Sequence, residues 1–175
     1  MVHVEESNVI IRFVRFRVGD GTPNNDALGI TAWAGEWVSR VIVDHVSLSW
    51  ATDENFDVRG NGGLRDITLQ NSLLGESGYG LLVNGNNSRV SILRNFFAHC
   101  SERNVQCNDK DDDVPASKMH FEQINNILYG WEISATQATF GNRFALVNNE
   151  YRMSSEVSVW YPKYVTLTDY GQTVP

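Results

Sequence analysis

The sequence predicts an all-β protein that winds as a right-handed, single-stranded parallel β-helix of about six coils. Three observations predict this fold: one segment recurs six times, apolar residues alternate within the copies, and asparagine recurs at one fixed position of the later copies. A fixed period of a few tens of residues is typical of solenoids, in which each coil packs on the next. The copies start at Val9, Val41, Ile67, Val90, Phe121 and Phe144, at intervals of 32, 26, 23, 31 and 23 residues.

The first element of each copy is a short strand. Apolar residues alternate with others, as at Val41 and Val43, and β-branched residues are dense while helix formers are sparse. A second strand is predicted in several copies, at residues 27–30, 56–58 and 81–83, with Gly, Asn, Asp and Ser in the turns. A β-sandwich is the alternative, but it would not hold one register through six segments. A leucine-rich repeat has a similar period, but its consensus is absent here.

The recurring asparagine predicts a ladder inside the coils. Five residues after the start of each copy, the last three copies carry asparagine. Amides stacked at one position can hydrogen-bond from coil to coil, because each amide has both donors and an acceptor. We therefore expect an internal asparagine ladder at these positions rather than ligands. The six positions are Val14, Val46, Ser72, Asn95, Asn126 and Asn149.

Length and composition predict a single domain. The 175 residues are long enough to bury a core, and we expect one β-helix domain over residues 1–175. Residues 151–175 are expected to form a C-terminal extension that packs on the helix. Because the chain opens directly on a strand-like segment, N-terminal coils or a cap are expected to be missing from this end. We expect a monomer, with the exposed N-terminal coil as a route to self-association.

Charge and hydropathy argue against two classes of partner. The formal net charge of −7 disfavours nucleic acid, which is bound through basic surfaces. No apolar run is long enough to cross a membrane. The first residues, MVHVEES, do not have the basic and then apolar pattern of a signal peptide.

Two insertions lengthen the first and fourth intervals, at residues 19–26 and 108–118. Long loops on a solenoid tend to gather on one face, which is usually the binding face. Three tryptophans near the first insertion, Trp33, Trp37 and Trp50, could stack on sugar rings or could cap the core. The second insertion is acidic, and it is either a solvated loop or a second metal site.

The two cysteines allow two interpretations. Cys100 and Cys107 flank the start of the second insertion and could form a disulfide. Alternatively, Cys100 lies in the core and Cys107 is a thiol in the loop.

Four oxygen-bearing residues at similar points of two neighbouring coils predict a metal site. Asn24 and Asp26 are two residues apart, and Asp53 and Asp57 are four apart, so each pair shares one face of an extended chain. Because adjacent strands lie about 4.8 Å apart, the three carboxylates would meet and repel. A hard dication relieves this repulsion, and oxygen ligands suit Ca²⁺. The alternative is separate exposed acids without a metal.

Several segments give the chain a resemblance to a known family. It resembles the pectate lyases of polysaccharide lyase family one over about residues 7–150, and that family has the right-handed parallel β-helix fold. VDHVSLSW followed by TDENFDV is the most specific part of the resemblance. The other segments are SNVIIRFVRFRVGDG, NDALGI, DITLQNSLLGES, VSILRNFFAHCSERN and INNILYGWE.

The resemblance implies roles for individual residues. The calcium-binding acids of the family match Asp26, Asp53 and Asp57, with Asn24 where many members have aspartate. The catalytic arginine of the family matches Arg103, at the start of Arg-Asn-Val-Gln. The proline and the second arginine that follow in the family are replaced here, the latter by Gln106. A family lysine that contacts the substrate carboxylate is also absent, so Gln106 and Lys110 are the expected substrate contacts.

The implied function is a calcium-dependent pectate lyase that cleaves polygalacturonate by β-elimination. Calcium would acidify the C5 proton of a uronate, Arg103 would remove that proton as the base, and the C4–O4 bond would break. Such an enzyme would act outside the cell. The alternative is a non-catalytic β-helix, either a carbohydrate-binding or phage-tail-like module or a degenerate lyase homologue. The two lost cations favour this alternative, while Arg103 and the calcium acids favour the lyase.

Overall fold

The structure is a computed structural model, and it describes residues 1–19, 23–84, 89–108, 120–139, 143–155 and 163–168. Within these residues the chain is all β and contains no helix. The predicted parallel β-helix is confirmed. The strands assigned in the described ranges are β1 (Val2–Val4), β2 (Val9–Arg12), β3 (Arg15–Arg17), β4 (Leu28–Ala32), β5 (Trp37–Asp44), β6 (Ser47–Ser49), β7 (Glu54–Gly60), β8 (Gly63–Gln70), β9 (Leu73–Asn84), β10 (Arg89–Leu93), β11 (Phe96–Glu102), β12 (Val105–Asn108), β13 (His120–Ile124), β14 (Ile127–Trp131), β15 (Ser134–Thr139), β16 (Arg143–Val147), β17 (Glu150–Met153) and β18 (Lys163–Thr168).

One parallel sheet takes a strand from each of the six sequence copies. In the described residues its order is β2-β5-β8-β10-β13-β16, which is the order of the chain. The starts of the copies pair directly from strand to strand, so the register predicted from the repeat is confirmed. The paired starts are Val9 with Val41, Val41 with Ile67, Ile67 with Val90, Val90 with Phe121, and Phe121 with Phe144.

A second, larger sheet carries the other strands of each coil. Its main path, among the described strands, runs β1-β4-β7-β9-β11-β14-β17, and β3, β6, β12, β15 and β18 pair alongside. The predicted second strands fall in this sheet. Leu28 pairs with Phe56, and Phe56 pairs with Leu81, so these three residues of successive coils are in register. All three side chains are fully buried, which fixes which face of the sheet looks outward.

The predicted asparagine ladder is present, with Asn95 and Asn126 buried and Asn149 half-buried. The Asn95 amide donates to Asn126 Oδ1 at 3.1 Å, and the Asn126 amide donates to Asn149 Oδ1 at 2.9 Å. Ser72 continues the ladder, because its backbone N–H donates to Asn95 Oδ1 at 2.9 Å and its hydroxyl accepts from the N–H of Val46. These bonds satisfy backbone groups at the turn of each coil, which would otherwise be buried without partners.

The turn beside this ladder has a left-handed backbone in every coil. At this turn, one residue of each coil has φ between 50° and 58°, a conformation that costs most side chains about 1–2 kcal/mol and that asparagine tolerates well. Half of these positions are asparagine. The six residues are Phe13, His45, Asn71, Arg94, Asn125 and Asn148.

Both cysteines are buried, Cys100 on β11 and Cys107 on β12. No disulfide joins them in the described part of the chain, and Cys107 lies in the core rather than in the loop. Near the C-terminus, β18 pairs in parallel with β15.

The part of the chain that the structure describes includes no membrane-spanning helix.

Candidate active site

Strands β4 and β7 are neighbours in the larger sheet, and they bring the acids of two coils together. Asp26 lies two residues before β4, and Glu54 is the first residue of β7. The backbone N–H of Glu54 donates to Asp26 Oδ1 at 3.0 Å, and the N–H of Ala27 donates to the carbonyl of Glu54 at 3.1 Å. These two hydrogen bonds lock the residues that precede β4 against the start of β7.

Asp26, Asp53 and Glu54 form a compact carboxylate cluster. Each can offer an oxygen such that all the oxygens lie within 4.8 Å of one another. Asp26 and Glu54 are buried, and Asp53 is half-buried. Glu54 is not among the residues singled out from the sequence. The signal was available, because Glu54 follows Asp53 directly and is 28 positions from Asp26, the same offset that separates the paired residues Leu28 and Phe56.

Asp57 lies on β7 beside this cluster, and the guanidinium of Arg59 lies close to both Asp57 and Asp26. Its carboxylate accepts from Arg59 Nε at 2.7 Å, and the same guanidinium lies 3.8 Å from Asp26 Oδ2. Asp57 is almost fully buried, whereas the Arg59 side chain is about half exposed. Arg59 therefore supplies positive charge to two of the predicted calcium ligands from the solvent side.

Burial and mutual repulsion raise the pKa values of these acids. Burial is the largest cause for Asp57 and raises its pKa to about 8, with Arg59 opposing and the neighbouring acids adding to the rise. The pKa of Glu54 is also raised, chiefly by burial and by its contact with Asp53, against the opposing effect of Arg103. Burial likewise raises the pKa of Asp26. Without a bound metal ion, Asp26, Glu54 and Asp57 therefore hold their protons to a higher pH than ordinary carboxyl groups do.

The cluster fits a hard cation. Asp26 Oδ2 and Asp57 Oδ1 are buried oxygens that have no hydrogen-bond partner among the described residues. Unsatisfied buried carboxylate oxygens are costly, and a cation that accepts oxygen ligands would satisfy them. Asn24 is exposed two residues before Asp26, with φ of 59°. The ligand roles of Asn24, Asp26, Asp53 and Asp57 stay predictions.

Arg103 reaches the cluster from two coils away. Its Nη1 donates to Glu54 Oε1 at 2.6 Å, and its guanidinium lies over the ring of Tyr79, 4.1 Å from the centroid. Its Nε is buried and has no hydrogen-bond partner in the part of the chain that the structure describes. Gly80 lets the backbone of Arg103 pass close to β9, since a Cβ there would lie 2.9 Å from the Arg103 carbonyl oxygen.

Gln106 shares an outer column of the sheet with Asp57. Asp57 pairs with Leu82, Leu82 pairs with Gln106, and Gln106 pairs with Gln137. Successive strands are about 4.8 Å apart, so Gln106 lies roughly 10 Å from Asp57 along this column. Lys110, the other predicted substrate contact, lies outside the described residues. The substrate-binding roles of both residues stay predictions.

These features define the class of the molecule: a parallel β-helix whose outer face combines clustered carboxylates with an arginine. Comparison with curated proteins then gives its relatives. The chain is 35% identical over 130 residues to "Probable pectate lyase C" of Aspergillus fumigatus. It is 33% identical over 129 residues to the proteins of the same name from Neosartorya fischeri and Emericella nidulans. The chain is therefore a relative of the pectate lyases, as the sequence resemblance predicts.

The matched region is most of this chain but a small part of its relatives. It covers 71% of this chain and 26% of each of these three proteins, so the chain spans about a quarter of the length of the curated relatives it matches. No protein-family model matches the sequence.

Proposed function

We propose that this chain is a calcium-dependent, pectate lyase-like protein that cleaves polygalacturonate by β-elimination. One observation carries the proposal: a largely buried carboxylate cluster, formed by two neighbouring coils, is joined through Glu54 by an ion pair to Arg103, two strands further along the sheet. The relation to proteins named as pectate lyases supports the same reaction. We also propose that the protein acts outside the cell, where such polysaccharides lie.

The proposed ligands of calcium are Asp26, Asp53 and Asp57, with the amide oxygen of Asn24. Glu54 adds a fourth carboxylate within reach of Asp26 and Asp53. Calcium held there would withdraw charge from a uronate carboxylate and make the proton on C5 more acidic.

Arg103 is the proposed base. A guanidinium is a poor base because it is normally protonated, and an ionised carboxylate beside it favours the cation further. The ionised Glu54 therefore opposes the role of base, although burial raises its pKa and so weakens this effect toward neutral pH. Stacking on Tyr79 and the ion pair with Glu54 hold the side chain in place. Glu54 therefore positions Arg103 and influences its charge.

The substrate is expected to run along the outer column that contains Asp57 and Gln106. Gln106 can hydrogen-bond a uronate carboxylate or hydroxyl through its amide. Lys110 would contribute the positive charge that a polyanion requires. With these proposed contacts, a polyuronate would lie across the face that carries the acids.

A second candidate function is a β-helix that binds carbohydrate without cleaving it. The specific observation in its favour is the uncharged column between Asp57 and Gln137, where Leu82 and Gln106 supply no positive charge. Each charge-assisted contact to a carboxylate contributes about 1.5–3 kcal/mol, so the loss of two cations would weaken substrate binding strongly.

Incubation with polygalacturonate at alkaline pH tests the proposal. A lyase creates a conjugated double bond, so ultraviolet absorbance should rise with calcium and should not rise with EDTA. Binding of polygalacturonate without any rise in absorbance would favour the non-catalytic alternative. Absence of both binding and product would contradict both candidate functions.

A further inference from the structure

A groove lies on the coils beside the carboxylate cluster, and its lining includes Thr52, which directly precedes Asp53, and Ser101, two residues before Arg103. It has a volume of about 1080 Å³ and is lined by residues that follow β6 and by residues of β9, β11 and β14, among others. Neither Arg103 nor any of the proposed calcium ligands lines it. Its lining runs from Gly19 in the first coil to Met153 in the sixth, five strand spacings or roughly 24 Å, which suits an extended ligand.

Aromatic side chains form its walls. The side chains of Trp50 and Tyr129 are 53% and 41% exposed, so both rings are accessible to a ligand. The ring of His99 packs edge-on against Tyr129, with centroids 5.3 Å apart. Exposed aromatic rings beside a groove provide flat apolar surfaces with polar edges. The faces of sugar rings match such surfaces, since their C–H groups are apolar and their hydroxyls point outward.

The backbone holds these side chains in one row. Trp50, Glu76, His99 and Gly130 follow residues that pair from coil to coil, and all four have left-handed φ values between 56° and 71°. At Gly130 a Cβ would lie 2.7 Å from His99 Nδ1, so only glycine leaves room for that ring. The row therefore projects a tryptophan, a carboxylate and an imidazole from adjacent coils into the same groove.

The charge of the groove selects the kind of sugar. Its described lining includes the carboxylates of Glu76 and Glu132, and one cation lies close by, because the Arg17 guanidinium is 5.7 Å from the centroid of the Trp50 ring. Glu132 accepts a hydrogen bond from the Ser101 hydroxyl at 2.8 Å, which fixes its orientation. Carboxylates are strong acceptors for hydroxyl groups, but they repel another carboxylate. Because two carboxylates outnumber the one guanidinium beside the groove, a polyuronate is disfavoured here and a glycan without charge is favoured.

We propose that this groove binds a neutral oligosaccharide, distinct from the acidic polymer proposed for the carboxylate face. Sugar rings stack on Trp50 and Tyr129, and their hydroxyls donate to Glu76 and Glu132. Such a site would hold the protein on the neutral polysaccharides of a mixed cell wall while the other face engages polyuronate. It does not depend on the proposed lyase activity.

Binding of neutral glycans in EDTA tests this site separately from the lyase activity. The probes are hexasaccharides of β-1,4-galactan, α-1,5-arabinan, β-1,4-xylan and β-1,4-glucan, with hexagalacturonate as the charged comparison, and binding is measured by isothermal titration calorimetry. We expect at least one neutral hexasaccharide to bind and hexagalacturonate not to compete. If no neutral probe binds, or if hexagalacturonate displaces it, the proposal is wrong.

Matched variants locate the binding. Trp50→Asn removes the ring while asparagine tolerates the left-handed backbone, and it should weaken binding at least ten-fold. Trp33→Asn is the control, because Trp33 is also 53% exposed but does not line the groove. Tyr129→Phe should retain binding, and Tyr129→Thr should lose it. Unchanged affinity in both Trp50→Asn and Tyr129→Thr, with unchanged thermal unfolding, would overturn the assignment.

Discussion

The guanidinium of Arg103 lies 2.6 Å from the carboxylate of Glu54, and this contact joins two coils that are not adjacent. Glu54 is almost fully buried, while about a third of the Arg103 side chain is exposed. The proposed base is thus in direct contact with the acid cluster. Because the Glu54 carboxylate also lies close to Asp26 and Asp53, a substitution of Arg103 should change the affinity of the proposed metal site.

Arg103→Ala should lower the rate of product formation from polygalacturonate by about 100-fold or more, which is the usual effect of removing a general base. Calcium should bind at least as tightly as in the wild type, because Glu54 is released from its ion pair. Initial rates and calorimetric titration with calcium measure the two effects. Arg89→Ala is the control, since Arg89 pairs with Asp66 at a distant exposed position. Product formation at the normal rate by Arg103→Ala would exclude Arg103 as the base.

Asp57→Asn should stabilise the calcium-free protein and abolish the stabilisation that calcium provides. The pKa of Asp57 is raised to about 8, so the folded protein holds this proton more tightly than the unfolded chain does. Wild-type stability without calcium should therefore fall as the pH rises from about 4 to about 8. At pH 8 the variant should be more stable by about 1–2 kcal/mol. Urea unfolding at several pH values, with calcium and with EDTA, checks this; a variant that still gains stability from calcium would contradict it.

Asn126→Ala should destabilise the protein by about 3 kcal/mol. The Asn126 amide oxygen accepts from Asn95, and its NH₂ donates to Asn149 and to the carbonyl of Ile92 at 2.8 Å, so its loss leaves several buried polar groups without partners. Asn148→Gly is the matched control, because it keeps the left-handed backbone and removes only an exposed hydrogen bond. The free energy of unfolding from urea titrations measures both. Equal effects of the two substitutions would show that the buried ladder contributes no more than the exposed one.

Asp44→Asn should reduce the loss of stability in acid. A hydrogen bond from Asn71 is the largest cause that lowers the pKa of Asp44, and His45 and Arg12 act in the same direction. A lowered carboxyl pKa gives stability that is present above the unfolded value of about 4 and is lost as the pH falls below it. The free energy of unfolding of the wild type should therefore drop more steeply between about pH 4 and pH 2 than that of Asp44→Asn. Parallel profiles would contradict this assignment.

The repeat could be predicted because its cause is local. Residues such as Val41, Ile67 and Val90 are fully buried, and burial in every coil requires an apolar residue at the same step of the repeat. The asparagine ladder follows from the same logic, since a side chain that bonds its copy in the next coil must recur at one position. Both the repeat and the ladder could be predicted without knowing the lengths of the loops between the strands.

The composition of the acid cluster could not be predicted in full, because it depends on where the chain bends. The expectation that Asp53 and Asp57 share a face assumes an extended chain. In the structure the chain bends at Thr52 and Asp53 before β7 begins, so Glu54 meets Asp26. The pairing of Arg103 with Glu54 spans 49 residues and depends on the stacking of three strands. Periodicity alone carries no information about it.

The starts of the six copies stay in register although the connections between them differ in length. Differences in chain length are therefore absorbed outside the strands, and the spacing between coils is the same whatever joins them. A protein engineer could exchange a connecting segment for a longer one from another solenoid and expect the relative positions of Asp26, Glu54 and Arg103 to survive. The scaffold thus separates the variable surface it displays from the fixed distances on which chemistry depends.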